Sequence, residues 1–156
     1  MTPEKFGKYI SYQEATKSQE ATRNNIDNTP NAEQLQNMEL VATNIFDKVR
    51  EHFKQRIAVS SFFRSYELNK AIGGATNSQH STGQAMDIDG DVYGMVKNSD
   101  IFNYIKDNLD FDQLIWEFGD NNEPAWVHVS YKLGVMRREI LVGKKDGHKT
   151  VYLPYR

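Results

Sequence analysis

Apolar residues recur at intervals of three and four along Met38, Val41, Ile45, Val49 and Phe53. That spacing puts them on one face of a helix, the longest the chain predicts, and such a face belongs in a core. Thr29 or Asn31 caps it, after a polar segment that turns at Pro30. Upstream, Ser11-Tyr12-Gln13-Glu14 reads as a capping box opening a short helix. The period then changes. Residues 57–61 are β-prone, and Ser65 caps a brief helix over residues 66–71 that stops at Gly73-Gly74. Residues 85–90 alternate, with Met86 and Ile88 on one face and Asp87 and Asp89 on the other. Asn98-Ser99-Asp100 caps a second helix carrying Ile101, Tyr104, Ile105 and Leu109. Residues 113–118 and 126–131 read as strands joined by a polar loop, and a tail hairpin pairs residues 139–142 with 150–153, turning at Asp146-Gly147.

Two main helices and several hairpin-linked strands predict an α+β fold with a small, largely antiparallel sheet and helices packed on it. The 156 residues suit one domain with one core. By pattern, residues 1–30 wrap the outside, residues 31–131 form the core and residues 132–156 form a C-terminal hairpin. Repeats, low-complexity tracts and interdomain linkers are absent.

Composition narrows the chemistry further. A formal net charge of -2 gives no polyanion-binding surface, so nucleic acid is not an expected partner. With no cysteine, disulfides, thiolate metal sites and cysteine nucleophiles drop out. The first residues hold no apolar run of signal-peptide length, and no stretch is long enough to span a bilayer. The expectation is a monomer made in the cytoplasm without membrane insertion. A substrate outside that compartment then requires separate delivery, for example through a pore protein.

Against that background, His80, Asp87 and His128 stand out. Gly83 lies between the first two and permits a turn that brings both to one point. His128 alternates with Val127 and Val129, so it faces a cleft if those two face the core. Two histidines and one aspartate form a ligand set for one catalytic zinc ion. The fourth position is then left to water, whose pKa the ion lowers to about 7. Residue types alone leave a plain reading equally open: a loop histidine, a strand-end aspartate and a strand-face histidine. The helical His-Glu-x-x-His pattern is absent.

The pattern Ser78-x-His80-x-x-Gly83-x-Ala85-x-Asp87 with a later Trp126-x-His128 resembles the signature of the peptidase M15 family, and most of all its M15A-like branch. That family includes D-Ala-D-Ala carboxypeptidases, D-Ala-D-Ala dipeptidases and phage L-alanyl-D-glutamate endopeptidases. Further matches are Ile26-Asp27-Asn28-Thr29-Pro30, Ser61-x-x-Arg64-Ser65, Leu68-Asn69-Lys70-Ala71-Ile72-Gly73-Gly74-Ala75 and Phe111-Asp112-Gln113-Leu114-Ile115-Trp116-Glu117. The resemblance spans roughly residues 11–131 and implies a zinc cleft with His80, Asp87 and His128 as ligands. It also makes Arg64 similar to the family arginine facing the substrate carbonyl, where a guanidinium could stabilise an oxyanion. The competing reading for Arg64 is a strand-end salt bridge.

One departure concerns the general base. Many family members carry an acid three positions before the last histidine, where this chain has Ala125. Glu117 is the first candidate replacement, on a strand that could face His128 across the pair. Glu123, in the loop, is the alternative. Ser78 is expected to bond the motif turn or the substrate. Asp89 either orients a histidine or caps a turn, and Trp126 lines the cleft or the core. His52 and His148 receive no role. Together the resemblance implies a zinc peptidase acting on bacterial peptidoglycan peptide, of phage endolysin or carboxypeptidase type. The rival is a non-catalytic wall-binding or virion structural module that keeps the metal.

Overall fold

The computed structural model describes residues 2–156. Strands β1 (Lys5–Phe6) and β2 (Ile10–Ser11) pair as a small hairpin and lead into helices α1 (Tyr12–Thr16) and α2 (Gln19–Arg23). The capping box forms as the sequence predicts: the Glu14 amide donates to the Ser11 hydroxyl at 3.0 Å, and the Glu14 carboxylate accepts the Ser11 amide. This N-terminal segment does more than wrap the outside. Phe6 and Ile10 are fully buried members of the core.

Helix α3 (Ala32–Val41) passes through a π-helical turn, Ala42–Phe46, into α4 (Asp47–Phe53). Asn31, not Thr29, is the cap, with Gln34 returning the bond to the Asn31 amide. Met38, Val41, Ile45 and Val49 are fully buried, as their spacing requires, and the widened turn adds Ala42 and Phe46 to the same face.

Then come β3 (Ala58–Ser61), α5 (Tyr66–Ala71), a 3-10 turn over Gln79–Thr82, and β4 (Ala85–Asp89). They are followed by α6 (Asn98–Asn108), β5 (Gln113–Glu117), β6 (Trp126–Ser130), β7 (Glu139–Asp146) and β8 (Lys149–Pro154). Ser65 caps α5 as expected. Asn98 does not cap α6: it is the first helical residue, and its buried side chain accepts the Gly90 amide and donates to Asp89 and the Ala125 carbonyl. Instead the Glu123 carboxylate caps the helix from the β5–β6 loop, accepting the Ser99 amide at 3.0 Å and the Ser99 hydroxyl.

The main sheet has the order β3-β4-β6-β5-β7-β8, antiparallel at every neighbouring pair except β5–β7, which is parallel. The chain leaves β6 and passes beyond β5 before it re-enters the sheet, so β7 must run in the direction of β5. The Arg137 amide and guanidinium donate to buried Asp112 and fasten this connection, while Arg138 donates to the Leu109 and Lys106 carbonyls. The tail hairpin therefore extends the same sheet. Its two-residue turn is Gly147-His148, one position beyond the expected one.

Strand alternation gives the sheet two unlike faces. Met86 and Ile88 of β4, Leu114 and Trp116 of β5, and Val127 and Val129 of β6 point to α3, α4 and α6 and form the core. Asp87, Glu117, Trp126 and His128 point the other way. Among the described residues, no helix is long and apolar enough to cross a membrane.

Candidate metal centre and active site

Two of the three candidate ligands are set by strand register. Asp87 lies directly opposite His128 in the β4–β6 pair, so both side chains leave the sheet on one face at neighbouring positions. The third comes from the 3-10 turn over Gln79–Thr82. Gly83 ends that turn at φ +80, and a Cβ there would lie 2.6 Å from the Gln34 carbonyl oxygen, so only glycine fits. Gln34 and Asn37 of α3 donate to the Ser81 and Thr82 carbonyls, each at 3.0 Å. Ser78 accepts the His80 amide at 3.2 Å, so it serves the turn.

These constraints converge on a cluster. His80 Nε2 lies 3.3 Å from Asp87 Oδ1, and His128 Nδ1 lies 3.1 Å from the same oxygen. The three ligand atoms lie within 4.8 Å of one another. His80 Nδ1 faces the Phe62 carbonyl oxygen at 2.7 Å, which accepts its N–H and leaves the Nε2 lone pair for the cluster. His80 Nε2 is buried without a hydrogen-bond partner. A buried nitrogen lone pair beside a carboxylate and a second imidazole is a donor set that could hold a metal ion. Burial works against charge on Asp87, but the neighbouring imidazoles of His80 and His128 outweigh it. Its carboxyl is held well below the usual carboxylate range.

Glu117 shares this sheet face, though not directly across from His128 as the sequence suggested. The register sets Ile115 opposite His128 and Glu117 opposite Trp126, so Glu117 reaches the centre along a diagonal. It is 6% exposed, and its Oε1 has no partner. Burial, reinforced by the Asp87 charge, pushes its carboxyl up to about 7, against the pull of His128, Tyr152 and Arg64. Glu123 is engaged elsewhere: both its oxygens accept from Ser99 at the α6 N-terminus.

Arg64 makes no salt bridge among the described residues, and its Nε is buried without a partner. Burial opposes its charge, while Asp87, Glu117 and Tyr152 are the groups that favour it. Its backbone is held on two sides. The Arg64 amide donates to the His80 carbonyl at 3.3 Å. Asn28 grips the flanking residues, accepting the Ser65 amide at 2.7 Å and donating to the Phe63 carbonyl at 3.1 Å. The residue 26–30 motif thus supports the arginine segment from outside.

Asp89 caps the 3-10 turn Gly90–Val92 and accepts from Asn98, so it does not orient a histidine. The Phe62 carbonyl has that task for His80. Trp126 flanks Glu117 on the site face and packs on Phe118, ring centroids 5.3 Å apart. Sequence reasoning missed two residues. Gly143 of β7 lies beside Glu117, and Tyr152 of β8 lies beside Gly143. Burial and the charges of Glu117 and Asp87 push the Tyr152 phenol up to about 12. Alternation within the tail hairpin shows that these two share a face. Only the parallel β5–β7 pairing, a long-range feature, shows that the face is this one.

A convergent His-Asp-His group with a buried carboxylate beside it is the arrangement of a metal-dependent hydrolase. Comparison with known families narrows this: the family model described as Peptidase M15 matches residues 8–130. The chain therefore belongs to the peptidase M15 family, which makes it a metallopeptidase. No curated protein matches it.

Proposed function

We propose that this chain is a zinc-dependent peptidase that hydrolyses a peptide bond in bacterial peptidoglycan, as a phage-type endolysin or a D-Ala-D-Ala carboxypeptidase. The observation that carries the reading is Glu117: a buried carboxylate whose Oε1 has no partner, beside three convergent ligand atoms and within the influence of Arg64, which makes no salt bridge among the described residues. Two imidazoles and one carboxylate suit zinc and leave a coordination position open. When bound, such an ion polarises a carbonyl and makes hydroxide available at neutral pH.

The chain's own groups do the rest. His80, Asp87 and His128 hold the ion. Glu117 takes the proton of the attacking water as the C–O bond forms at the scissile carbonyl. It then delivers that proton to the amine nitrogen as the C–N bond breaks. Arg64 donates to the oxygen on which negative charge develops. Ala125 would have favoured a non-catalytic wall-binding or virion module. Glu117 supplies the acid missing there, which favours the peptidase. The wall substrate rests on family membership and on the motifs shared with wall peptidases.

Digestion of purified peptidoglycan, with products identified by mass spectrometry, tests this. Wild type is expected to release defined peptide fragments, and Asp87→Ala none. Glu117→Gln should retain metal and lose about 10²–10⁴ in kcat. If folded, zinc-loaded wild type releases nothing from walls of several chemotypes, the peptidase reading is wrong.

A further inference from the structure

Glu117 presents a problem that the ligand cluster does not solve. A base must be held near its working geometry by its surroundings, because a misplaced carboxylate transfers protons slowly. Yet Glu117 Oε1 is buried with no hydrogen bond to fix it. Its neighbours on β6 are an indole and an imidazole. The remaining side is open to β7 and β8.

There the register is informative. Glu117 pairs with Gly143, and Gly143 pairs with Tyr152. Tyr152 is thus two strands away from Glu117, about 9.6 Å at ordinary strand spacing. A tyrosine can reach that far along the sheet only if nothing stands between. A Cβ built on Gly143 would lie 2.7 Å from Glu117 Oε1 and 3.0 Å from Tyr152 Cε1. Gly143 is therefore a window, and the Tyr152 ring lies over it toward the carboxylate. Tyr152 is among the groups that favour charge on Glu117, and at 47% exposure on the outer strand β8 it borders solvent. The phenol also stays protonated, and so able to donate, well above neutral pH.

We propose that Tyr152 is the positioning residue for Glu117: its hydroxyl, reaching through the Gly143 window, donates to the carboxylate and fixes the direction in which the base points. This rests on the peptidase reading above. It adds that the tail hairpin, beyond the residues 8–130 that define the family match, completes the active site.

Tyr152→Phe removes the donor and keeps the ring. In the zinc-loaded protein kcat on peptidoglycan fragments is expected to fall about tenfold, a part of what a positioned base contributes, with KM, zinc content and Tm unchanged. Gly143→Ala should likewise lower kcat by crowding Oε1. A Tyr152→Phe enzyme with wild-type kcat overturns the proposal. So does a loss carried by KM alone, which would make Tyr152 a substrate contact. A second readout does not need turnover. The Glu117 carboxylate carbon, 13C-labelled and assigned through Glu117→Gln, is observed by NMR in the zinc-loaded protein at alkaline pH. Its resonance should move in Tyr152→Phe, and an unmoved resonance overturns the proposal. If wild type proves inactive on every wall, the peptidase reading fails, while a moved resonance still upholds the Tyr152–Glu117 contact.

Discussion

The two faces of the six-stranded sheet are built by the same strands and have opposite character. On the helix side, Met86, Ile88, Leu114, Val127 and Val129 are fully buried among apolar neighbours. One residue along each strand, Asp87, Glu117 and His128 are also buried, yet this side carries the orphaned polar atoms His80 Nε2, Arg64 Nε and Glu117 Oε1. Buried polar groups without partners cost free energy. The helix side can sustain that cost because it contributes apolar burial while making no demands on chemistry. The contrast teaches that stability and activity should separate by sheet face: along each strand one set of alternate residues serves stability and the intervening set serves activity.

The largest expected effects break the comparison from each side. Asp87→Ala removes the ligand that both imidazoles address, so metal content and wall hydrolysis should fall below detection while the chain stays folded by circular dichroism. Phe102→Ala does the reverse. Phe102 is fully buried on α6, edge-on to Trp116 with ring centroids 5.2 Å apart. Its truncation should cost about 3–5 kcal/mol in urea unfolding, with specific activity kept wherever the protein remains folded. An Asp87→Ala protein that unfolds, or a stable but inactive Phe102→Ala, would show that the two faces are not separable.

A smaller effect follows from Glu117 and Asp87, two carboxylates on one face shifted in opposite directions. The Glu117 carboxyl lies at about 7 in the fold against 4.5 without its surroundings. As pH rises from 4.5 the unfolded chain ionises first, so the metal-free protein should lose up to about 3 kcal/mol by pH 7. Asp87 and Asp112 are held low, so what they contribute is lost as pH falls below their ordinary value of 3.8. Stability without metal should peak between these limits. In Glu117→Gln the decline above pH 4.5 should disappear. Zinc should flatten it too, since a nearby cation favours the carboxylate. Thermal unfolding at a series of pH values, with and without chelator, reads this directly, and a slope unchanged in Glu117→Gln rejects the assignment.

Much of this contrast was legible in the sequence, because alternation is a local property. Met86 and Ile88 against Asp87, and Val127 and Val129 against His128, follow from the two-residue period alone. The helix face of Met38, Val41, Ile45 and Val49 follows equally from spacing. Register was less accessible. Nothing near Glu117 says that it pairs with Trp126 while Ile115 takes the place opposite His128. The parallel β5–β7 pair depends on a connection fastened by Arg137 to Asp112, far apart in the chain, so the arrival of Gly143 and Tyr152 at the site could not be read locally. The cap of α6 failed for the same reason. Asn98 looks like a local cap, but its side chain is buried between two loops, and the capping group comes from Glu123.

Glu123 gives the smallest effect and the sharpest discrimination. It was the alternative base on sequence grounds, being closer to His128 in the chain than Glu117. In the fold its carboxylate sits at the N-terminus of α6 on the Ser99 amide and hydroxyl, where a negative charge favours the helix. Glu123→Gln keeps an acceptor and removes the charge, so it should lower stability by only about 0.3–1 kcal/mol. The kcat on peptidoglycan fragments should be unchanged, in contrast to the large loss in Glu117→Gln. The two isosteric substitutions therefore separate a carboxylate that serves the helix side from one that serves the site. A folded, zinc-loaded Glu123→Gln protein without activity would exchange the two roles, and the division between the faces would have to be redrawn at the β5–β6 loop.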